Sequence, residues 1–167
     1  MKLESVVLAG GCFWGMEELF RQIPGVISTD VGYAGGTTEN PKYSTVKLGN
    51  TGHAESLKID FDADTLSFEN LLYFFFKVHD PTTTDRQGND VGSQYRSAIF
   101  YSTDDQKQTA EKVIAKVNSS GVWKKPVVTQ VEKAGPFYRA EDDHQDYLQK
   151  YPDGYTCHYI RPIEYPR

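Results

Sequence analysis

The amino-acid sequence predicts an α/β protein in which a layer of helices packs on one face of a mixed β-sheet. Segments with the two-residue period of strands alternate along the chain with segments that have the helical period. Several of the predicted strands have a polar face, which is typical of a sheet that helices cover on one side. With 167 residues, no internal repeat and no break in composition, the chain is expected to form a single domain over residues 1–167.

The composition argues against two classes of partner. Hydrophobic residues make up 38% and charged residues 25% of the chain, as in an ordinary soluble protein. The formal net charge of −5 argues against a nucleic-acid partner, because nucleic-acid binders normally carry a basic face. Neither a basic amphipathic stretch nor a long apolar run is present, so no membrane partner is expected. The 11 tyrosines and 9 phenylalanines exceed the usual need of a small core, and some are expected to line a site.

Two cysteines, Cys12 and Cys157, bear on the compartment and on metal binding. The apolar run over residues 6–9 is too short for the core of a signal peptide, so a cytoplasmic location is expected. In that reducing compartment a permanent disulfide is not expected, whereas a transient catalytic one is allowed. The sequence has no Cys-x-x-Cys and no Cys/His cluster, so no metal site is expected.

The first predicted elements are a strand over residues 6–9, a turn of two glycines, and a helix that begins at Cys12. The buried face of this helix is predicted from three residues at helical spacing, Phe13, Met16 and Phe20. Backbone N–H groups at a helix start lack intrahelical partners, so a thiolate at Cys12 is favoured. Trp14 lies off the buried face and is interpreted as the wall of a substrate pocket. The alternative is an inert buried cysteine beside core aromatics.

A candidate acid follows from the next three elements, which are a strand over residues 26–33, a long surface loop over 34–52, and a strand over 54–61. Loops of this length inside compact domains are usually functional. The last strand alternates between apolar and polar residues, and by this parity Glu55 lies on the apolar face. Burial raises the pKa of a carboxyl and keeps it protonated, so Glu55 is a candidate general acid. The alternative is a buried carboxyl that only satisfies a tyrosine or a backbone group.

The second half of the chain is predicted to continue the alternation of helices and strands. Ser67 is a good N-cap for a helix that ends near His79, and this histidine is expected to brace the helix end. The elements that follow are an irregular stretch over 82–94, a strand over 95–101, a helix from 103 to 121, a strand over 127–131, a polar helix over 140–150, and a mobile tail over about 150–167.

Loop residues supply further candidates without assigning them a role. Asp90 lies in the second irregular stretch and is by default an ordinary turn residue. Tyr43 lies near the end of the first loop and Tyr95 directly after the second, where their hydroxyl groups can serve a polar ligand atom. Tyrosines of the core or the surface are nevertheless commoner. If Cys12 needs a base, the sequence alone does not select one of the four histidines.

Seven segments of the chain, in this order, carry a resemblance: Gly11-Cys12-Phe13-Trp14-Gly15, Gly32-Tyr33-Ala34-Gly35-Gly36, Asn40-Pro41-x-Tyr43, Gly52-His53-Ala54-Glu55, His79-Asp80-Pro81-Thr82, Gln87-Gly88-Asn89-Asp90-x-Gly92-x-Gln94-Tyr95-Arg96-Ser97, and Ala140-Glu141-x-x-His144-Gln145-x-Tyr147. Together they resemble peptide methionine sulfoxide reductases of the A type, over nearly the whole chain. The resemblance implies a two-layer α/β sandwich related to the ferredoxin-like arrangement, with long coil segments around the core. It also implies a role in protein repair under oxidative stress.

The resemblance implies a role for each candidate residue. Cys12 would attack the sulfur of the S epimer of methionine sulfoxide, and Glu55 would protonate the sulfoxide oxygen. The substrate-binding residues that it implies are Phe13, Trp14, Tyr43, Asp90 and Tyr95. In these roles the two tyrosines bind the oxygen, the other two aromatics hold the methyl group, and the aspartate helps to position the site. The products are methionine and a sulfenic acid on Cys12.

The regeneration step is where this sequence departs from the family pattern. Many relatives have the resolving cysteine directly after Gly-Tyr, whereas this chain reads Gly154-Tyr155-Thr156-Cys157-His158 and has no third cysteine. We expect a Cys12–Cys157 disulfide that thioredoxin reduces. The alternative is an external thiol that resolves the sulfenic acid directly. The resemblance implies no cofactor, and the protein is expected to be a monomer.

Two other functions remain compatible with the residues alone. A cysteine hydrolase or acyltransferase would use Cys12 with a histidine, but it gives no reason for a buried Glu55 or for Cys157. A binding module for oxidised or methylated peptides would use the aromatic residues, but it leaves a thiol at a helix start unexplained.

Overall fold

A computed structural model describes residues 1–156 and 158–165 of the chain. Within these residues the strands are β1 (Leu3–Gly10), β2 (Val26–Ala34), β3 (Ala54–Asp62), β4 (Arg86–Gln87), β5 (Asp90–Val91), β6 (Ser97–Tyr101), β7 (Gln130–Lys133) and β8 (Tyr138–Arg139). The helices are α1 (Phe13–Phe20), α2 (Tyr43–Val46), α3 (Phe68–Val78), α4 (Asp104–Ser119) and α5 (Tyr147–Lys150), with 3₁₀ turns at Ser93–Tyr95 and Asp142–His144.

The described strands form a mixed sheet of six strands in the order β7-β6-β1-β3-β2-β8, while β4 and β5 form a separate hairpin. Strand β1 pairs antiparallel with β3 and β6, and β7 pairs parallel with β6. The predicted α/β class with helices on a mixed sheet is confirmed. In the described part of the chain, no helix has both the length and the apolar character that crossing a membrane requires.

The two faces of the sheet differ in the size of their side chains. The helix-covered face contributes large residues to the main core, among them Val6, Leu8, Val31, Leu57, Ile59, Phe61 and Ile99. Helix α1 adds the three residues that its spacing predicted, Phe13, Met16 and Phe20. The opposite face carries a second, smaller cluster rich in alanine: Val7, Ala9, Ala34, Ala54, Ala98 and Phe100. Alternation along each strand therefore places the side chain of Glu55 on the helix-covered face, with Leu57 and Ile59.

The predicted role of His79 as a brace at a helix end is confirmed. The side chain is fully buried after the last turn of α3, and Nδ1 lies 2.7 Å from the carbonyl oxygen of Phe75. Because a carbonyl can only accept, Nδ1 carries the proton and Nε2 accepts from the Ser97 hydroxyl at 2.8 Å. Burial lowers the pKa of His79 to about 3, so the ring stays neutral and links α3 to β6.

The predicted helix over residues 140–150 is wrong. The chain there forms a 3₁₀ turn, then Asp146 in the left-handed conformation with φ 53°, and then the short helix α5. The three hydrogen bonds that hold this break join it to distant elements. The backbone N–H of Asp146 donates to Glu17 of α1 at 2.7 Å, and the Gln145 side chain bonds both the N–H and the carbonyl of Val31. Tertiary contacts therefore override the local helical pattern.

Smaller differences concern the bounds of elements. The long loop over residues 34–52 contains helix α2, and the strand predicted over 95–101 begins at Ser97 after a 3₁₀ turn. The strand predicted over 127–131 lies at Gln130–Lys133 instead. The short strands β4, β5 and β8 were not predicted, because two-residue strands carry no readable period.

The described part of the C-terminal segment contacts the core at two points. Nε2 of His158 lies 2.6 Å from the carbonyl oxygen of Gly10, and the Tyr165 hydroxyl donates to the carbonyl oxygen of Phe76 at 2.6 Å. Both side chains are buried. The mobility expected for this segment stays a prediction, and Cys157 lies outside the described residues.

Candidate active site

Cys12 lies at the junction of β1 and α1, where the sequence places a turn of two glycines. Gly11 has φ 98°, and a side chain there would collide with Gln87 at 2.7 Å, so the turn requires glycine. Cys12 is the N-cap residue of α1 and is 7% exposed. Its thiol therefore lies at the positive end of the α1 dipole, which favours a thiolate there.

The buried carboxyl of Glu55 lies beside the same helix start. The side chain is 1% exposed, and Oε1 accepts the backbone N–H of Phe13 at 3.2 Å. Burial raises the pKa of Glu55 to about 8, and this shift persists although the Phe13 hydrogen bond opposes it; the negative charge of Asp90 adds a smaller increase. The carboxyl is therefore mostly un-ionised at neutral pH, and it accepts the backbone N–H of the residue that directly follows Cys12.

Two tyrosine hydroxyl groups belong to the same cluster. Tyr43 begins α2 and Tyr95 ends a 3₁₀ turn, so the two loop regions of the sequence converge here. Burial raises the pKa of Tyr43 to about 12 and also raises the pKa of Tyr95. For both hydroxyls the charges of Glu55, Cys12 and Asp90 add to the increase, which places all five groups within electrostatic reach. The hydroxyls keep their protons and can donate hydrogen bonds at neutral pH.

Aromatic rings form one side of the cluster. The ring of Trp14 is half-buried and stacks on Tyr147 with centroids 3.8 Å apart and planes 11° apart. The indole N–H of Trp14 donates to Nδ1 of His144 at 3.0 Å, and the His144 ring lies 4.4 Å from that of Tyr43. Phe13 is fully buried and lies 6.4 Å from Tyr43. Packing and the hydrogen bond to His144 hold these rings in place, so they present an apolar surface at the start of α1 to which a small apolar group can bind.

Asp90 connects the cluster to the C-terminal segment. It lies in β5, and Oδ2 accepts the hydroxyl of Tyr155 at 3.1 Å. Tyr155 is 46% exposed and precedes Cys157 by two residues in the sequence. The structure thus places seven of the eight predicted site residues in one cluster: Cys12, Phe13, Trp14, Tyr43, Glu55, Asp90 and Tyr95. The eighth, Cys157, lies outside the described residues.

Sequence reasoning missed three residues that shape this cluster. His144 and Tyr147 were assigned to a polar helix, although they contact Trp14. Glu141 accepts the Tyr33 hydroxyl at 3.1 Å and the backbone N–H of Tyr43 at 3.2 Å, and so holds α2 against β2. The only signal for them was their place in a motif of the resemblance, because their partners lie about a hundred residues away in the chain.

The other histidines have structural contacts of their own. His53 accepts the backbone N–H of Gly36 at Nδ1 and bonds the carbonyl of Thr38 through Nε2, so both ring nitrogens are engaged. His158 bonds the carbonyl of Gly10. Among the described residues, no group of three or more His, Cys, Asp or Glu side chains is arranged to hold a metal ion.

Comparison with known proteins assigns the chain to a family. The family model described as "Peptide methionine sulfoxide reductase" matches residues 4–165. A relative from Mesorhizobium japonicum, named peptide methionine sulfoxide reductase MsrA 1, is 58% identical over 160 residues, which is 95% of this chain and 90% of that protein.

Two solved structures of Mxr1 from Saccharomyces cerevisiae are also similar. The reduced form has a TM-score of 0.90 at 36% identity and covers 96% of this chain and 93% of its own. Mxr1 in complex with Trx2 has a TM-score of 0.65 at 25% identity and covers 96% and 91%, respectively. Because the family model and a close relative both span nearly the whole chain, the protein belongs to the peptide methionine sulfoxide reductase family of oxidoreductases.

Proposed function

We propose that the protein reduces the S epimer of methionine sulfoxide, in oxidised proteins and as the free amino acid, to methionine. The observation that carries this proposal is a thiol and an un-ionised carboxylic acid at the start of one helix. Cys12 directly precedes Phe13, whose backbone N–H donates to Glu55. A sulfoxide needs both groups, because its sulfur must accept a nucleophile and its oxygen leaves poorly until it is protonated.

The first step joins the two sulfur atoms. The Cys12 thiolate attacks the sulfoxide sulfur while the Glu55 carboxyl gives its proton to the sulfoxide oxygen. The hydroxyl group then moves from the substrate sulfur to the sulfur of Cys12, and the bond between the two sulfur atoms breaks with its electron pair left on the substrate sulfur. The sulfoxide is thereby reduced by two electrons to the thioether, and the Cys12 thiolate is oxidised to a sulfenic acid. The pKa of Glu55, raised by burial to about 8, supports this role because the proton is present at neutral pH.

The surrounding residues bind two substituents of the substrate sulfur, its oxygen and its methyl group. Tyr43 and Tyr95 keep their protons and donate hydrogen bonds to the oxygen, which gains negative charge until it is protonated. Phe13 and Trp14 hold the methyl group in an apolar pocket. Fixing the oxygen on one side and the methyl on the other admits one configuration at sulfur. Asp90 helps to position this site.

The second step regenerates the thiol. The Cys157 thiol attacks the sulfenic sulfur and displaces water, which leaves a Cys12–Cys157 disulfide. A thioredoxin then reduces this disulfide by thiol exchange and is itself oxidised. The complex of the related Mxr1 with Trx2 supports a thioredoxin as the partner. If Cys157 is a bystander, an external thiol reduces the sulfenic acid directly.

The proposal includes the setting in which this chemistry occurs. The reductant is a protein or small-molecule thiol, with no further cofactor, nucleic acid or membrane. We place the protein in the cytoplasm as a monomer, where it repairs oxidised proteins under oxidative stress. The net charge of −5 supports protein substrates over nucleic acid.

Racemic methionine sulfoxide with excess dithiothreitol tests this function. We expect methionine to reach about half of the added sulfoxide and then stop, because the pocket admits one epimer. The purified R epimer is the control and should yield no methionine. Conversion of the racemate to completion would contradict the epimer preference, and a hydrolase or a binding module would give no methionine from either epimer.

A further inference from the structure

A buried carboxyl of α1, that of Glu17, has no part in the reaction described above. The side chain is 2% exposed. Its Oε1 accepts the backbone N–H of Asp146 at 2.7 Å, and its Oε2 accepts the hydroxyl of Thr29 at 2.8 Å. Burying a carboxyl costs free energy because the group loses its hydration, and these two hydrogen bonds offset part of that cost.

The Asp146 bond holds one point of a segment that contacts the aromatic wall. Asp146 has φ 53°, a conformation that non-glycine residues seldom adopt, and Tyr147 follows it directly. The ring of Tyr147 lies 3.8 Å from the ring of Trp14. Glu17 thus bonds the backbone one residue before the ring that covers Trp14, and it does so at a point where the backbone is strained.

The geometry of α1 explains why one helix can hold both ends of this contact. Trp14 and Glu17 are three residues apart, which places them on the same side of the helix. The neighbouring residues are held too, because His144 accepts the indole N–H of Trp14 and Gln145 bonds both backbone groups of Val31. The four residues from 144 to 147 therefore each have a contact with α1 or β2.

We propose that Glu17 is a positioning residue, which sets the Tyr147 ring on Trp14 and thereby fixes the width of the pocket for the substrate methyl group. This inference rests on the proposed function for the identity of the substrate. Glu17 acts through Tyr147 and Trp14 and does not touch the sulfoxide. Its effect is therefore expected on substrate binding more than on the chemical step.

Replacing Glu17 with methionine tests this role, because the volume is kept and both acceptors are lost. We expect KM for a methionine sulfoxide peptide to rise about tenfold, with the saturating single-turnover rate within about threefold of the parent. In a Trp123→Phe background, Trp14 is the remaining tryptophan, since the chain has two. Its emission should shift to the red when the stack with Tyr147 loosens.

Three variants complete the design. In Glu17→Gln the amide oxygen can accept the backbone N–H of Asp146 and the amide N–H can donate to the Thr29 hydroxyl. This variant should therefore have the KM and the emission of the parent. Glu18→Ala is the matched control, because the neighbouring glutamate bonds Arg21 at the surface. Tyr147→Leu should reproduce the rise in KM with Glu17 intact, and Glu17→Met should add little to it, because both changes act on one contact.

Either of two results would overturn the inference. One is a folded Glu17→Met protein with the parent KM and emission, and the other is a Tyr147→Leu protein with the parent KM. Should Glu17→Met fail to fold, the Tyr147→Leu result still decides. If the parent protein forms no methionine at all, the proposed function is wrong, and the emission of Trp14 alone then tests whether Glu17 positions the stack.

Discussion

The Cys12→Ser variant is expected to lose methionine formation by a factor on the order of 10⁴ or more. The serine hydroxyl is not ionised at neutral pH, and oxygen cannot take up the sulfoxide oxygen as sulfur does. The start of α1 favours the ionised form of a thiol but does not ionise an alcohol. The measurement is methionine released from the S epimer with excess dithiothreitol, at equal protein concentration.

The matched control removes the other thiol of the chain. Cys157→Ser should still form methionine with dithiothreitol, because that reagent can reduce the sulfenic acid without a second protein thiol. The thermal midpoints of both variants should stay close to that of the parent, since serine differs little from cysteine in size. A Cys12→Ser protein that keeps a tenth of the parent rate would remove the thiol from the mechanism.

Glu55→Gln is expected to slow methionine formation by about 10² to 10⁴, the usual contribution of a positioned acid. Glutamine keeps the shape of the side chain and an oxygen that can accept the Phe13 N–H, so the proton is the main loss. In the parent, the rate should fall as the pH rises through about 8, because the carboxyl then loses its proton. The variant should lack this fall. The measurement is the single-turnover rate between pH 6 and 10.

The same substitution, which lowers the rate, should raise the stability of the protein. Between the ordinary pKa of 4.5 and about 8, folded Glu55 holds a proton that the unfolded chain has released, so the free energy of unfolding decreases as pH rises through this window. Glutamine carries no charge, so the loss of stability caused by ionising the buried carboxyl is absent from Glu55→Gln. At pH 8 the free energy of unfolding of the variant should exceed that of the parent by about 1 to 3 kcal/mol. A variant with the parent rates at every pH, and with the parent stability, would exclude Glu55 as the acid.

Local patterns in the sequence were enough to predict the positions of Cys12 and Glu55 in the fold. The glycine turn and the helical spacing after it place Cys12 at a helix start, and the structure has it as the N-cap residue of α1. Alternation along β3 places Glu55 among apolar residues, and it is buried there. Both inferences need only the period of one element, because backbone geometry determines which side chains share a face.

The aromatic wall could not be predicted in the same way. Trp14 contacts His144 and Tyr147, which lie 130 or more residues later in the chain. The segment around Asp146 carries a helical pattern, but its backbone follows bonds from Glu17 and Val31. No period in the sequence indicates a contact between distant segments, so only the fold could show that this segment packs against Trp14.

The measurement that tests the central claim most directly is made on Cys157→Ser with one equivalent of the S epimer and no reductant. The central claim is that the sulfoxide oxygen passes to the sulfur of Cys12. We expect one methionine per protein and a mass increase of one oxygen atom, located at residue 12 and trapped there by dimedone. Formation of methionine with Cys12 unmodified, or with the oxygen on another residue, would contradict the account.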